Sequence, residues 1–147
     1  MKKTFTVILL LISAFCVEAG SLKDKIYGNV VVSDITSVYD ADTFRVNIKG
    51  FPEIIGHRVP IRVNNIDSPE IKGSCPQEKK LAREAKQFTV GMLRSGRVVE
   101  LRNMKRGKYF RIVADVFVDG QSLGEHLVVK GLAVRYDGGK KTKDWCK

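Results

Sequence analysis

The chain has 147 residues, with 26 Lys and Arg against 16 Asp and Glu, and a formal net charge of +10 at pH 7. This length allows one compact domain around a single hydrophobic core and excludes a second core. The positive charge attracts polyanions, and nucleic acid is a better candidate than an anionic membrane because no basic amphipathic helix with a clean apolar face follows the N-terminal segment.

The N-terminal segment has the layout of a secretory signal peptide. Lys2 and Lys3 precede an apolar run over residues 5–17, and Val17-Glu18-Ala19 has the character of the positions before a cleavage site. A transmembrane anchor is the alternative, but spanning a bilayer takes about 20 apolar residues and this run is shorter. We therefore predict a signal peptide over residues 1–19 and a single domain over residues 20–147. The domain is expected to be exported to the periplasm or the medium, without stable membrane association.

Cleavage at that point removes Cys16 and leaves Cys75 and Cys146. Two cysteines in an exported chain are typical of one disulfide, which here would tie the C-terminus to a loop in mid-chain. Two free thiols remain the alternative, because the sequence does not show whether the two Cα atoms come close enough. A zinc site that combines these cysteines with His57 and His126 is disfavoured, since the spacings match no zinc motif.

The first half of the domain reads as three strands. Residues 29–38 are rich in Val and Ile, a turn follows at 39–41, and residues 43–49 alternate between apolar and polar side chains. After a loop at 50–56, residues 57–66 alternate again. The period of two predicts half-buried strands in antiparallel pairing.

The second half begins with helical spacing. Apolar residues recur at steps of three and four over residues 78–94, which predicts a helix that stops at Ser95-Gly96. Two more strands are predicted at 98–103 and 109–118, joined by a basic turn at 104–107. A second helix is predicted over residues 121–132.

Five strands with a helix between the third and the fourth have the order of an OB-fold, a partly open Greek-key barrel that commonly binds oligonucleotides. The tail, residues 137–147, can add a short helix at most. The predicted class is therefore α+β, mainly β: a five-stranded OB-fold Greek-key barrel with two to three helices.

Two acidic clusters lie at the ends of predicted strands: Asp40-Ala41-Asp42-Thr43 and, at the start of a loop over residues 67–77, Asp67-Ser68-Pro69-Glu70. Each alone is an ordinary set of turn residues. In a protein that binds polyanions, however, such carboxylates would repel the ligand unless a cation lies between them. Oxygen ligands without His or Cys suit calcium or magnesium rather than zinc.

Two arginines complete this set of residues. Arg62 precedes Asp67 on the third predicted strand, and Arg111 lies at the start of the fifth. A guanidinium group offers phosphate a bidentate fork that lysine cannot match, although each arginine alone could be a solvated surface charge. Together with Asp42 and Glu70 they supply a cation site, an acid–base group and anion stabilisers, as phosphodiester cleavage requires.

These segments resemble the staphylococcal (micrococcal) nuclease family, also called thermonucleases. The similar segments are residues 40–46, 61–70, 107–111 and 131–133, and they occur in the family's order between about residues 30 and 136. The resemblance implies a secreted, calcium-dependent OB-fold nuclease. Such an enzyme hydrolyses DNA and RNA to 3′-phosphorylated products and is expected to be a monomer.

The resemblance also implies a role for individual residues. Calcium would be held by the side chains of Asp42 and Asp67 and by the carbonyl of Ser68, which stands where the family commonly has Thr. Glu70 would act as general base or orient the attacking water, while Arg62 and Arg111 would bind the phosphate and stabilise the transition state. Lys108, Tyr109 and, more weakly, Tyr136 would line the nucleotide site.

Ala41 and Phe110 depart from the family pattern, because glycine is frequent at both positions in the best-known member. A disulfide between Cys75 and Cys146 would hold the tail beside the loop that follows Asp67. Two other functions are compatible with the charge: a non-catalytic nucleic-acid-binding module of the same fold, and a surface protein that binds acidic glycans or lipids. The retained acidic and arginine residues favour catalysis over both.

Overall fold

The structure, a computed structural model, describes residues 25–147, and the predicted signal peptide lies outside these residues. Nine strands and three helices occur in the described part. The strands are β1 (Val30–Val31), β2 (Asp34–Val38), β3 (Thr43–Asn47), β4 (Val59–Val63), β5 (Ile66–Asp67), β6 (Val99–Arg106), β7 (Ile112–Val118), β8 (Gln121–Ser122) and β9 (Val134–Arg135). The helices are α1 (Glu53–Gly56), α2 (Pro76–Ser95) and α3 (Leu123–Val129).

The main sheet has the strand order β1-β6-β7-β4-β3-β2, with β4 and β7 parallel and the other neighbours antiparallel. Strands β1 and β2 are two parts of one interrupted segment. At the interruption the Val32 amide donates to Val99 of β6 and the Ser33 amide donates to Asn47 of β3. The segment therefore pairs with both edges of the sheet and curls it into the predicted OB-type barrel, which confirms the fold class.

The core follows the alternation of the strands. Val59, Ile61 and Val63 of β4 point inward, whereas Arg62 between them does not. The same alternation buries Phe44 of β3, as expected for strands that have one face on the core. One continuous apolar cluster fills the barrel and extends to α2 and α3.

Helix α2 begins where the sequence supplies a cap and ends at a glycine. Pro76 occupies its first turn, and the Cys75 sulfur accepts from the Glu78 amide at 3.4 Å. A Cβ at Gly96 would lie 2.2 Å from Val118, so only glycine lets the helix end pack this closely on β7. Helix α3 is shorter than the predicted 121–132, because Gln121–Ser122 pair with β7 and Gly131 ends the helix with φ 69°.

The predicted strand over residues 109–118 is wrong at its start. Strand β6 continues through Arg106, and residues 107–111 form the turn, which the Gly107 amide closes by donating to the Arg111 carbonyl at 2.7 Å. Tyr109 and Phe110 both adopt φ 57° in this turn. Their strand propensity is overridden by the geometry that joins two paired strands.

Two further segments differ from expectation. The loop at 50–56 contains the short helix α1, and the tail contains no helix among the residues described. Within residues 25–147, none of the helices combines the length and apolar character needed to cross a lipid bilayer.

Thr89 of α2 connects the helix to the first acidic turn. Its hydroxyl donates to the Ala41 carbonyl at 2.8 Å, and both residues are fully buried. We expect Thr89→Val to lower the free energy of unfolding by about 1–3 kcal/mol, because the substitution leaves a buried carbonyl unpaired. Urea denaturation measures this loss. Thr89→Ser retains the hydroxyl and is the control, and a Val variant at least as stable as the Ser variant would contradict the assignment.

Candidate active site

The fold brings the two acidic segments to the same end of the barrel. Asp42 lies in the turn between β2 and β3, and Asp67 ends β5 just after β4. The Ser68 amide donates to Asp42 Oδ2 at 3.3 Å, and the Val63 amide donates to the Asp42 carbonyl at 2.8 Å. Asp42, Asp67 and Ser68 are all buried, at 2–3% exposure. Two buried carboxylates in one place require cationic partners.

Arg62 is the first of these partners. It lies opposite Thr43 in the register of β4 and β3. Its guanidinium group donates to Asp42 Oδ1 at 2.6 Å and to the Ile66 carbonyl at 3.2 Å, and it lies 3.6 Å from Asp67 Oδ1. Arg62 therefore links β4 to the first acidic segment through a charge-assisted hydrogen bond and to the second through an ion pair.

Lys141 is the second partner, and the sequence analysis did not identify it. Its ammonium group lies 2.8 Å from Asp67 Oδ1 and 2.8 Å from Glu70 Oε1. Burial lowers the pKa of Lys141, but the carboxylates of Asp67 and Glu70 outweigh that effect and raise it above its ordinary value. In the sequence, only the predicted disulfide pointed to Lys141, because the bridge places the tail beside the loop that follows Asp67.

Asp40 shapes the turn that carries Asp42. Asp40 Oδ1 accepts from the Asp42 amide at 3.2 Å. Burial, together with the charges of Asp42 and Glu70, raises the pKa of Asp40 to about 7. Asp40 is thus harder to ionise than an ordinary aspartate, and it acts here as a backbone acceptor.

The predicted disulfide forms between Cys75 and Cys146, with Cα atoms 6.0 Å apart and 71 residues apart in sequence. It attaches the tail to the N-terminus of α2. Glu78 in the first turn of α2 accepts from the amides of Glu70 at 3.2 Å and Ser74 at 2.9 Å, so it fixes the loop that carries the catalytic candidate. A Cβ at Gly73 would lie 2.3 Å from the Glu78 carboxylate, which makes glycine necessary for this approach.

Arg111 lies in a groove beside the acidic segments. The groove has a volume of about 430 Å³, and its lining includes Thr43, Arg45, Tyr109 and Arg111. Thr43 also donates to Asp42 Oδ1 at 2.9 Å, so a residue that lines the groove contacts one of the buried carboxylates. Buried Arg111 Nε has no hydrogen-bond partner in the part of the chain described, which leaves a donor for a ligand.

The other predicted substrate-binding residues are placed differently. Tyr109 is 91% exposed at the rim of the groove, and Lys108 beside it is exposed as well. Tyr136 does not line this groove, because its amide donates to the Asn65 carbonyl and its hydroxyl to the Gly139 carbonyl at 2.6 Å. The structure thus brings Lys108 and Tyr109 together with Arg111 and assigns Tyr136 to the turn of the tail.

The donors around Asp42 and Asp67 fit a hard divalent cation. All are oxygen atoms, and within the described residues Asp67 Oδ1 accepts no hydrogen bond of good geometry, although Lys141 forms an ion pair with it. A site made of two aspartates and the Ser68 carbonyl would have two side-chain ligands and one backbone ligand. Within residues 25–147, three side chains of types that bind metals, Cys75, Glu78 and Cys146, also lie close together. They are not a metal site, because both sulfur atoms are in the disulfide.

Comparison with known proteins agrees with this geometry. Residues 60–145 match the family described as staphylococcal nuclease homologue. The chain belongs to the staphylococcal nuclease family. The matched region contains Arg62, Asp67, Glu70 and Arg111, and it extends to the tail that carries Lys141. This confirms the family that the sequence segments indicated.

A curated relative, endonuclease YncB of Bacillus subtilis (strain 168), is 29% identical over 120 residues. The alignment covers 79% of this chain and 53% of the relative. The chain thus spans about half the length of that protein.

We expect loss of the disulfide in this staphylococcal nuclease homologue to destabilise the fold. The double substitution Cys75→Ser and Cys146→Ser should lower the free energy of unfolding by about 2–4 kcal/mol, because it frees a long loop in the unfolded chain. Urea denaturation with and without dithiothreitol measures the effect. Reduced wild-type protein should match the double variant, and an oxidised wild type no more stable than the variant would contradict the bridge.

Proposed function

We propose that this protein is a calcium-dependent nuclease that hydrolyses phosphodiester bonds in DNA and RNA and leaves 3′-phosphorylated products. The observation that carries the proposal is the pair of buried aspartates, Asp42 and Asp67, held beside Arg62 at one end of a barrel in a strongly basic protein. Family membership and the name of the endonuclease relative support the same reaction.

In this proposal the side chains of Asp42 and Asp67 and the carbonyl of Ser68 hold calcium. The ion, when bound, polarises a phosphoryl oxygen and offsets the charge that develops on it. The buried position of the two aspartates raises the affinity of such a site for a cation, because water screens the carboxylates poorly.

The remaining chemistry belongs to three side chains. Glu70 is exposed, so an attacking water can reach it, and its carboxylate accepts the proton of that water. Arg62 and Arg111 donate to the phosphate oxygens and stabilise the pentacoordinate transition state. The water oxygen bonds to phosphorus, and the bond to the 5′-oxygen breaks with its electron pair on that oxygen. The 5′-oxygen takes up a proton from solvent and leaves as a hydroxyl, so the phosphate stays on the 3′ side.

Two residues away from the scissile phosphate bind the rest of the nucleotide. Lys108 attracts the backbone and Tyr109 stacks on a base, which gives little sequence preference. We further propose that the protein acts as a monomer after removal of residues 1–19, outside the cytoplasm and free of the membrane. The disulfide supports this location, because such bonds persist in oxidising compartments.

One observation favours the alternative of a non-catalytic nucleic-acid-binding module. The ammonium of Lys141 lies between Asp67 and Glu70, where it forms an ion pair with both carboxylates and offsets part of their charge without a metal. The two functions predict different results with calcium. A nuclease cleaves the nucleic acid when calcium is present, whereas a binding module leaves it intact with or without calcium.

Glu70→Gln should lower kcat on plasmid DNA and on RNA by roughly 10²–10⁴-fold, because it removes the proton acceptor and keeps the shape of the side chain. The assay compares product release in Ca²⁺ with that in EGTA. Glu84→Gln changes an exposed glutamate of α2 and should have no effect. If wild type and Glu70→Gln retain intact nucleic acid equally with and without Ca²⁺, the binding module is the better account.

Lys141→Met should tighten calcium binding by about tenfold or more. The ammonium must either leave the two carboxylates or stay a few Å from the divalent ion, where it repels the ion by more than about 1.4 kcal/mol even near a protein surface. Titration calorimetry with Ca²⁺, without nucleic acid, measures the change. Lys140→Met is the matched control, since it removes an exposed charge from the same tail. Equal affinity in wild type and the Lys141 variant would show that the ammonium does not compete with the ion.

A further inference from the structure

A second pocket lies against the β6–β7 turn, and its lining within residues 25–147 includes neither acidic segment. It has a volume of about 470 Å³, within the range of small-molecule sites, and lies between the segment around α1 and the turn at residues 107–111. Its walls are mainly apolar side chains: Tyr27, Phe51, Ile55, Val59, Met104 and Phe110. No function considered above uses this pocket.

Several of these side chains are exposed to solvent. Phe51 is 38% exposed, Ile55 is 39% exposed and Phe110 is 66% exposed. Phe110 is also held at φ 57°, a conformation unfavourable for an aromatic residue, and its exposure provides little burial to offset that cost. An exposed aromatic side chain in a strained turn indicates a surface that is completed by a ligand.

Within residues 25–147, the charged residues that line the pocket are all cations, namely Lys105, Arg106 and Arg111. An apolar pocket with such a rim suits a ligand that has a flat apolar part and a negative part. A nucleotide has this combination, because its base has two apolar faces and its phosphate is an anion.

Arg111 joins the pocket to the candidate active site. It lines both this pocket and the groove that contains Thr43 and Tyr109. A nucleic-acid strand whose phosphate contacts Arg111 in the groove therefore passes the mouth of the pocket. The position of Arg111 between the pocket and the groove gives no reason to expect a lipid or a peptide as the ligand.

We propose that the pocket binds one unpaired nucleobase of the substrate strand, next to the nucleotides at the scissile phosphate. The base stacks on Phe110 or Phe51 and packs on Ile55, while its phosphates face Arg106 and Arg111. The substrate is then a single strand or a locally opened duplex, since a base within a helix cannot enter the pocket. This inference rests on the proposed function and deepens it.

The test measures binding without hydrolysis. Single-stranded pentanucleotides, each with one abasic position, are titrated into the protein in EDTA and followed by fluorescence anisotropy. At one position the missing base should weaken binding to wild-type protein by about tenfold, within the range for loss of one base–aromatic stack. The same abasic substitution should cost little in Phe110→Ala and in Ile55→Ala, because these variants have already lost the contact.

Ile54→Ala is the matched control. Ile54 is the neighbour of Ile55 in α1, is 82% exposed and does not line the pocket, so this variant should show the full abasic effect. An abasic cost that is equal in all four proteins, or absent at every position, would overturn the inference. Weaker binding of Phe110→Ala to phosphatidylglycerol vesicles, with unchanged binding to the oligonucleotides, would overturn it in favour of a lipid.

Base-dependent binding at the pocket and hydrolysis in Ca²⁺ are measured independently, so one can fail without the other. Base-dependent binding without any hydrolysis in Ca²⁺ would support the pocket and reject the nuclease. Hydrolysis in Ca²⁺ with no base-dependent binding at this pocket would support the nuclease and reject the inference.

Discussion

The hydrogen bond between Arg62 and Asp42, 2.6 Å long, is the contact on which the arrangement of the site depends. Two carboxylates buried at one end of an apolar barrel would repel each other at a high energetic cost. Arg62 offsets this cost because it extends from the outer face of β4 and reaches Asp42, Asp67 and the carbonyl of Ile66 together. The alternation of β4 makes this possible, since its neighbours point into the core and leave Arg62 at the surface end of the barrel.

A second cation reaches the same carboxylates by a different route. Lys141 belongs to a tail without regular structure, which the Cys75–Cys146 disulfide and buried Trp145 attach to the body of the protein. Arg62 is carried by a strand and held by backbone and side-chain partners, whereas Lys141 is held mainly by its ion pairs with two carboxylates. The positive charge of Arg62 is therefore fixed by its strand, whereas the positive charge of Lys141 can be replaced by another cation.

The turn between β6 and β7 supplies a further group of side chains near the acidic segments. Its backbone places Tyr109 and Phe110 in the left-handed region, where both side chains project outward instead of packing on the barrel. Arg111 at the end of this turn borders the groove beside Asp42 and the pocket beside α1. One short, strained connection thus presents aromatic faces and the half-buried guanidinium group of Arg111 to two adjoining concave surfaces.

The sequence alone determined most of the longer strands, helix α2 and the acidic and arginine residues proposed for the site, because period-two alternation, end signals such as Pro76 and Gly96, and family segments are all local in the chain. It also indicated the disulfide without establishing its distance. Only the tertiary structure revealed Lys141, Glu78 and the pocket beside α1. Lys141 contacts residues about 70 positions away, and this pairing leaves no local pattern. The turn at Tyr109 was mispredicted for the same reason: strand propensity is local, whereas the closure of the barrel, which sets where β6 ends and β7 begins, depends on contacts between distant segments.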